Sequence, residues 1–175
     1  MKNILVVSHC ILNKASKVEQ DESELAEEYR QRDELLRLAL DKDIQLMQLP
    51  CPEFIMYGAS RWGHVKDQFD TPFFRSTCRE ILKPIMMQLK EYASKPGRFD
   101  IIGITSVEGS PSCGHSLTCR AEWGGELGKE PAPAEVRMVN EPGVYMEVLS
   151  EMMAEYGLGI PVFSIPEAAA RITKL

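Results

Sequence analysis

The sequence has no long apolar run and no cluster of basic residues. A membrane-spanning helix needs about 20 consecutive apolar residues, and no segment of the chain approaches that length. The chain carries 20 Lys and Arg residues against 26 Asp and Glu residues, a net charge of −6, with no basic stretch that follows a phosphate backbone. We therefore expect neither a membrane nor a nucleic acid as a partner.

An export signal is also missing. The apolar run from Ile4 to Val7 is too short for the core of a signal peptide, and no small-residue cleavage site follows it. We therefore expect a cytoplasmic protein, in a compartment that keeps thiols reduced. The five cysteines, an odd number, are then expected to be free thiols or metal ligands rather than disulfides.

The chain has no internal repeat and no low-complexity segment. Its composition, with 44% hydrophobic and 26% charged residues, is that of a folded globular protein. A length of 175 residues is typical of one domain with a substantial core. We expect residues 1–175 to form a single domain.

Short apolar strands alternate with helical patterns along the chain. Strands are predicted at residues 3–8, 43–49, 100–105 and 161–165, and helices at 21–40, from 71 onward, at 143–156 and at 167–172. This alternation predicts a three-layer α/β/α fold of the Rossmann-like or flavodoxin-like type, with a mainly parallel sheet of about four strands in the order 2-1-3-4. Residues 54–70 and 117–139, rich in Gly, Pro and charge, are predicted to be irregular loops beside a site.

Three cysteines follow three successive predicted strands. Cys10, Cys51 and Cys113 each lie where a strand ends, and ligands of open α/β sheets bind beyond the carboxyl ends of the strands. Neighbouring strands lie about 4.8 Å apart, so the three thiolates are expected to meet at one metal core. Three thiolates are one short of the usual set for zinc or for a 4Fe-4S cluster, which indicates an open metal position. The alternative is that each is a buried thiol, a common fate of free cysteine.

The other cysteines and two histidines carry weaker signals. Cys78 recurs at helical spacing with apolar residues and is predicted to lie in the core. Cys119 follows Cys113 in a predicted loop and is a fourth ligand, a resolving thiol, or neither. His9 and His115 flank two of the candidate ligands, but neighbouring side chains of an extended strand point to opposite faces. We expect a structural role for both histidines.

Three motifs of the chain resemble the thiouracil desulfurase family, which is also catalogued as a bacterial domain of unknown function. The motifs are Ser8-His9-Cys10, Cys51-Pro52-Glu53 and Ser110-Pro111-Ser112-Cys113-Gly114, in the same order as in the family, and the resemblance spans most of the chain. Two continuations differ from the family pattern: Ile11-Leu12-Asn13 after the first cysteine, and Phe54 to Trp62 in place of a glycine-rich segment.

This resemblance implies a cofactor and two catalytic residues. Members of the family are small α/β proteins in which three motif cysteines, here Cys10, Cys51 and Cys113, carry a 4Fe-4S cluster with one iron free of protein ligands. The catalytic carboxylate of the family carries over to Glu53, and the catalytic serine to Ser110. For Ser110 a turn-forming role is the alternative, because Ser-Pro favours turns.

The activity that the resemblance implies is removal of sulfur from a thiolated small molecule. A thiocarbonyl sulfur is a soft donor and suits an open iron. Water activated by Glu53 is then expected to attack the carbon, and sulfide leaves without net electron transfer. Ser8 and Ser112 in the motifs, together with Arg61, are assigned to substrate binding. Trp62 and Arg75 are weaker candidates for the same role, and surface ion pairing is the alternative for the arginines.

Two rival classes of function remain open. One is a non-catalytic metal-storing or redox-sensing protein, in which Cys119 closes the metal site as a fourth ligand. The other is a zinc-binding or nucleotide-binding module of the flavodoxin-like type. The nucleotide-binding reading is disfavoured because no glycine-rich phosphate loop follows the first predicted strand.

Overall fold

A computed structural model describes residues 1–124 and 135–175, and its centre is a parallel sheet. The strands of the described residues are β1 (Lys2–Val7), β2 (Gln45–Gln48), β3 (Phe99–Thr105), β4 (Thr118–Arg120), β5 (Arg137–Val139) and β6 (Val162–Phe163). The main sheet has the order β2-β1-β3-β6, and all of its neighbouring strands run parallel. The predicted α/β class and the predicted order 2-1-3-4 are confirmed, with β6 as the fourth strand.

The register of the sheet brings three strand ends to one level. Val7 lies opposite Gln48 of β2 on one side and opposite Thr105 of β3 on the other. Thr105 in turn lies opposite Phe163 of β6. The segments that leave β1, β2 and β3 therefore start side by side at the carboxyl edge of the sheet.

Helices pack in pairs beside the sheet. The helices of the described residues are α1 (His9–Leu12), α2 (Glu22–Asp41), α3 (Pro52–Tyr57), α4 (Lys66–Phe69), α5 (Pro72–Ala93), α6 (Val144–Glu155) and α7 (Ile165–Thr173), with a short 3-10 helix at Lys14–Ser16. Helix α2 packs against α7, and α5 packs against α6. None of the helices that the structure describes is long and apolar enough to cross a membrane.

Helix α5 begins and packs as its sequence predicts. The Thr71 hydroxyl accepts a hydrogen bond from the Phe74 backbone N–H at 3.2 Å, and Pro72 occupies the first helical position, where its missing N–H costs nothing. The apolar face of the helix is buried, and Cys78 on that face is fully buried in the main hydrophobic core. The prediction that Cys78 is a core residue is confirmed.

The first predicted loop is partly helical. Residues 54–57 belong to α3, and α4 occupies Lys66–Phe69. Both helices are too short to repeat an apolar face at a spacing of 3.6 residues, so periodicity gave no signal for them. The local signal for α3 is Pro52 at its first turn, preceded by Cys51 as the capping residue.

The second predicted loop and the first cysteine also differ from expectation. Strands β4 and β5 pair antiparallel at the two ends of the segment 117–139, of which residues 125–134 lie outside the described part. Cys10 lies on the helical turn α1 and not on an extended strand end. The expectation that His9 and Cys10 point to opposite faces of an extended strand was therefore wrong. The expected structural role of His9 remains, because its ring stacks on Phe54 and bonds to the Gln48 amide.

Candidate metal and catalytic site

A cavity of about 540 Å³ opens at the carboxyl edge of the sheet. Its wall contains all of the predicted site residues except Ser8, namely Cys10, Cys51, Glu53, Arg61, Ser110, Ser112 and Cys113. The three cysteines come from the segments that follow β1, β2 and β3. Because β1, β2 and β3 end opposite one another, the three cysteines meet at one edge of the sheet. Their positions after successive strands predicted this arrangement.

Cys10 lies half-buried on α1, with a lysine beside it. Burial raises the pKa of its thiol to about 11, and the nearby Lys17 charge opposes that shift. The Lys17 ammonium donates to both carboxylate oxygens of Glu28, at 2.6 and 2.8 Å. The first cysteine thus lies next to a fixed ion pair on the cavity wall. Sequence reasoning missed this pair, because its two residues belong to different elements and share no motif.

Cys51 caps the first turn of α3. Its sulfur accepts a hydrogen bond from the Phe54 backbone N–H at 3.4 Å. Burial is the main cause that raises the pKa of the thiol, and the hydrogen bond from Phe54 opposes it. The Cys-Pro pair therefore places the thiol and begins the helix that carries Glu53 toward the cavity.

Cys113 is buried in a tightly bonded loop. The Ser110 hydroxyl oxygen accepts hydrogen bonds from the backbone N–H groups of Ser112 and Cys113, at 3.3 and 3.0 Å, and the Val107 N–H donates to the Cys113 carbonyl at 3.0 Å. Burial raises the pKa of the Cys113 thiol well above its usual value, and the charges of Cys51 and Cys10 act in the same direction. All three thiols line the wall of the same cavity.

Glu53 joins two of the predicted site residues. Its carboxylate accepts a hydrogen bond from the Ser112 hydroxyl at 2.5 Å, and the Arg61 guanidinium approaches its other oxygen at 3.5 Å. The Ser112 hydroxyl also lies 3.4 Å from the Cys113 sulfur, and 3.3 Å from the Ser110 hydroxyl. A continuous polar chain therefore runs from the arginine through the carboxylate to the third cysteine.

Arg61 holds the carboxylate from a rigid position. Its guanidinium donates to the backbone carbonyls of Ser16, at 2.6 Å, and of Gly58, at 2.9 Å. The side chain is buried, so the surface-pairing alternative for this arginine does not describe it. An arginine tied to two main-chain carbonyls orients Glu53 at small entropic cost.

The donor set fits a cluster of soft metal ions. Three thiols line one cavity, and thiolates are the ligands that iron-sulfur clusters use. No three metal-ligating side chains of the described residues are grouped compactly enough to hold one metal ion. Ligands of a polynuclear cluster bind different iron atoms and instead line a cavity.

Glu108 organises the loop that carries Cys113, and sequence reasoning missed it. Its carboxylate accepts hydrogen bonds from the backbone N–H groups of His115, Ser116 and Leu117 at 3.1, 3.1 and 2.7 Å. It also accepts from the hydroxyls of Ser106, at 2.6 Å, and Ser116, at 2.9 Å. Asp and Glu in turns often bond nearby N–H groups, so its place in a Gly-Ser-Pro turn was the available signal.

Some predicted contacts lie away from the cavity. The Ser8 hydroxyl is buried and donates to the Thr105 carbonyl at 3.0 Å, which joins the ends of β1 and β3. Trp62 is largely exposed, and Arg75 binds Asp70 and Glu147. Neither of these two side chains is among the described residues that line the cavity.

Cys119 does line the cavity. It is buried on β4, and its sulfur lies 3.4 Å from the His64 carbonyl. Trp123, half-exposed, lies on the same wall. The cavity thus offers a further thiol and an aromatic face beyond the three motif cysteines.

One curated protein is similar to this chain over about two thirds of its length. The Uncharacterized protein MJ0003 of Methanocaldococcus jannaschii is 37% identical to it over 112 residues, which cover 64% of the chain and 67% of the archaeal protein. No family model matches the chain. No solved structure matches it either.

Proposed function

The chain belongs to the same family as the archaeal protein MJ0003, and we propose that it is an iron-sulfur-dependent desulfidase. In this reaction a thiocarbonyl compound and water give the corresponding carbonyl compound and hydrogen sulfide. The C–S bond breaks, a C–O bond forms, and no electrons are transferred. The substrate class is a thiolated small molecule of the thiouracil type, and the cofactor is a 4Fe-4S cluster on Cys10, Cys51 and Cys113.

The observation that carries the proposal is the position of Glu53. A carboxylate with two fixed partners, Arg61 and Ser112, shares a cavity wall with three thiols. A carboxylate that only solubilised a loop would face bulk water, whereas Glu53 is nine-tenths buried, at 9% exposure. Buried carboxylates with specific partners in a cavity are candidates for proton transfer.

The chain supplies proton handling and orientation to the reaction. When bound, a cluster with one iron free of protein ligands supplies a Lewis-acidic position for the soft sulfur of a thiocarbonyl. Glu53 takes a proton from the attacking water. Arg61 holds the carboxylate in place and balances its charge, and the Ser112 hydroxyl fixes its second oxygen. The proton can then return to the departing sulfide.

The roles of the two serines follow from their contacts. Ser110 accepts two backbone N–H groups, so its oxygen shapes the turn before Cys113. Ser112 contacts both Glu53 and Cys113, so its hydroxyl holds the carboxylate beside the third cysteine. Ser110 lies 3.3 Å from the Ser112 hydroxyl and extends the same chain toward the cavity.

The charge of the cavity favours a neutral substrate. Its wall contains the carboxylates Glu24, Glu28, Glu53 and Glu108 against the cations Lys17 and Arg61. Both cations are already paired with carboxylates. A phosphorylated or carboxylated substrate would meet net negative charge, whereas a neutral thiolated base would not.

The first experiment is purification without oxygen, followed by quantification of iron and inorganic sulfide. The proposal requires brown protein that binds iron and sulfide in equal amounts and releases sulfide from 2-thiouracil or a related neutral thiocarbonyl compound. Protein that stays colourless after anaerobic reconstitution overturns the cofactor and the activity together.

The second experiment separates binding from turnover. Glu53→Gln keeps the size of the side chain but cannot accept a proton, so iron content and the spectral change on adding substrate should persist. Sulfide release should fall by roughly 10²-fold or more. Glu80→Gln, on the exposed face of α5, is the matched control and should release sulfide at the parent rate. Parent-like turnover in Glu53→Gln would remove Glu53 from the mechanism.

A non-catalytic metal or redox sensor is the second candidate. It is favoured by Cys119, whose thiol lines the same cavity and would complete a set of four. A cluster with four thiolate ligands has no open iron, so its electronic spectrum should not respond to a thiolated base. An unchanged spectrum in the parent together with a response in Cys119→Ala would support the sensor and contradict the desulfidase.

A further inference from the structure

Part of the cavity wall is apolar, and the proposed reaction assigns no role to it. Met138 lies on β5, Val136 directly before that strand and Trp123 three residues after β4, and all three line the cavity. Each keeps about half or more of its surface exposed. Soluble proteins rarely cluster exposed apolar side chains unless a ligand or partner covers them, and ligand cavities are lined mainly by apolar and aromatic groups. We call these three residues the apolar wall and take it as a contact surface for a ligand.

Strand β4 is anchored, which gives the apolar wall a fixed base. Cys119 and Ala121 pack with Val65 in a small buried cluster. The Asp67 carboxylate on α4 accepts a hydrogen bond from the Ala121 N–H at 3.1 Å. Trp123 follows Ala121 by two residues, so the chain that carries the indole ring starts from a fixed point. A pre-positioned aromatic ring binds a ligand with less loss of conformational entropy.

Met138 connects the apolar wall to the loop that carries Cys113. It lies opposite Cys119 in the pairing of β4 with β5. Its side chain lies against Gly109, because a Cβ atom at Gly109 would be 3.6 Å from the Met138 methyl carbon and 3.9 Å from its sulfur. Gly109 lines the cavity directly before Ser110. The apolar wall is therefore continuous with the loop that presents the third cysteine.

Five charged side chains of the cavity are already engaged. Arg61 binds Glu53, Lys17 binds Glu28, and Glu108 accepts main-chain N–H groups. A neutral ligand gains little from charges that are already paired, so the apolar wall is better suited to recognise it. The flat indole of a tryptophan stacks on a flat heteroaromatic ring, whereas an open-chain compound offers no ring to stack.

We propose that Trp123 determines substrate specificity by stacking on the ring of a neutral heteroaromatic thiocarbonyl compound, with Met138 and Val136 in contact with the same ring. This inference rests on the proposed function and narrows its substrate class: a cyclic, planar thiocarbonyl compound is preferred to an open-chain thioamide. Trp123 binds and orients the ring and takes no part in proton transfer. Its loss should therefore weaken binding of cyclic substrates more than it slows their turnover.

The first test compares sulfide release from 2-thiouracil and from thioacetamide by the cluster-loaded protein. Trp123→Ala should raise the KM for 2-thiouracil about tenfold, because the stacked ring is lost, with a smaller change in kcat. Trp123→Phe should restore most of the affinity. Thioacetamide turnover and iron content should match the parent in both variants. Trp62→Ala is the matched control, because Trp62 does not line the cavity, and it should behave as the parent with both compounds. An equal loss for both compounds in Trp123→Ala overturns the inference.

The second test measures binding without turnover. The chain has two tryptophans, so Trp62→Phe leaves Trp123 as the single fluorophore and Trp123→Phe leaves Trp62. Titration with 2-thiouracil should quench Trp123 saturably and more strongly than Trp62, and the comparison corrects for absorption by the ligand. Equal quenching in the two proteins overturns the inference. Saturable quenching of Trp123 without sulfide release would support the inference and end the proposed reaction. Sulfide release without quenching of Trp123 would do the reverse.

Discussion

Two segments deliver cysteines to the same cavity but are built differently. Residues 106–118, the Cys113 arm, are held mainly by hydrogen bonds to the main chain. Residues 8–17, the Cys10 arm, are held by two short helical turns and by side chains that reach across from other elements. The two arms therefore illustrate a rigid and an adaptable way to position a ligand.

The Cys113 arm is braced from inside and outside. Inside, the Glu108 carboxylate gathers three backbone N–H groups, and the Gly109 N–H donates to the Leu117 carbonyl at 2.9 Å. Outside, the first turn of α6 donates three further N–H groups. These main-chain hydrogen bonds tie down the segment that carries Cys113, and Cys113 itself is buried, at 8% exposure.

The Cys10 arm depends on long side chains instead. The guanidinium of Arg32 donates to the Leu12 carbonyl at 3.1 Å, and that of Arg61 donates to the Ser16 carbonyl at 2.6 Å. Lys17 reaches Glu28 on α2. Such contacts can break one at a time, so we expect this arm to move more readily than the Cys113 arm when the site exchanges metal or substrate.

The largest expected effect is the loss of the cluster. Cys10→Ala, Cys51→Ala and Cys113→Ala should each reduce iron and sulfide after anaerobic reconstitution to background, whichever arm is altered. Cys78→Ala should keep the cluster and lower the free energy of unfolding by about 1–2 kcal/mol through lost packing. Iron and sulfide analysis with urea unfolding checks both. Cluster loss in Cys78→Ala alone would reassign the ligands.

The next effect compares the two arms directly. Glu108→Ala should lower the free energy of unfolding by about 2 kcal/mol, because three backbone N–H groups lose a charged acceptor. Asn13→Ala removes the cap of the 3-10 helix in the Cys10 arm, where the side chain accepts from the Ala15 N–H at 3.1 Å, and should cost about 1 kcal/mol or less. Equal costs in urea unfolding would show that the arms are held equally.

An effect of similar size tests the hydrogen bonds that the first turn of α6 donates to the Cys113 arm. Gly143→Ala forces a Cβ atom toward the carbonyls of Ser112 and Pro111 and should cost about 2 kcal/mol of unfolding free energy, with weaker retention of iron. Gly97→Ala is the control, because a Cβ there meets no atom within 4 Å, and its effect should stay within about 0.5 kcal/mol. If Gly143→Ala retained as much iron as the parent, the contacts between α6 and the Cys113 arm would not be needed for cluster binding.

The smallest effect concerns acid. Burial alone would raise the pKa of Glu108, but the hydrogen bonds from Ser106, His115 and Ser116 outweigh it and hold the pKa below the usual 4.5. A lowered folded-state pKa means that stability is present above pH 4.5 and is lost as the pH falls toward the folded-state value. Glu108→Gln should therefore flatten the acid slope of apo-protein stability. Asn13→Ala should leave that slope unchanged in urea unfolding at a series of pH values.

Much of the fold followed from local patterns. Strand and helix periodicities repeat every 2 and 3.6 residues and can be read in any window of the chain. The Thr71-Pro72 start of α5, the order of the sheet and the burial of Cys78 were predicted in this way and are confirmed. Short elements escaped, because α1, α3 and α4 contain too few residues to show a period.

The site was predictable only in outline. The positions of Cys10, Cys51 and Cys113 after successive strands were enough to place them on one cavity wall, because parallel strands end at one edge. Ser8 also follows a strand directly, but it lies away from the cavity, because its hydroxyl joins the ends of β1 and β3. The motif alone did not distinguish these outcomes.

What the sequence by itself determined is therefore the frame: a parallel sheet, its order, and the edge where three cysteines end. Tertiary structure alone decided the partners: Glu53 with Ser112 and Arg61, and Lys17 with Glu28. The physical reason is distance along the chain. Strand and helix preferences are local energies that a short window reveals, whereas these polar pairs depend on how separate elements pack, and no local pattern records that packing.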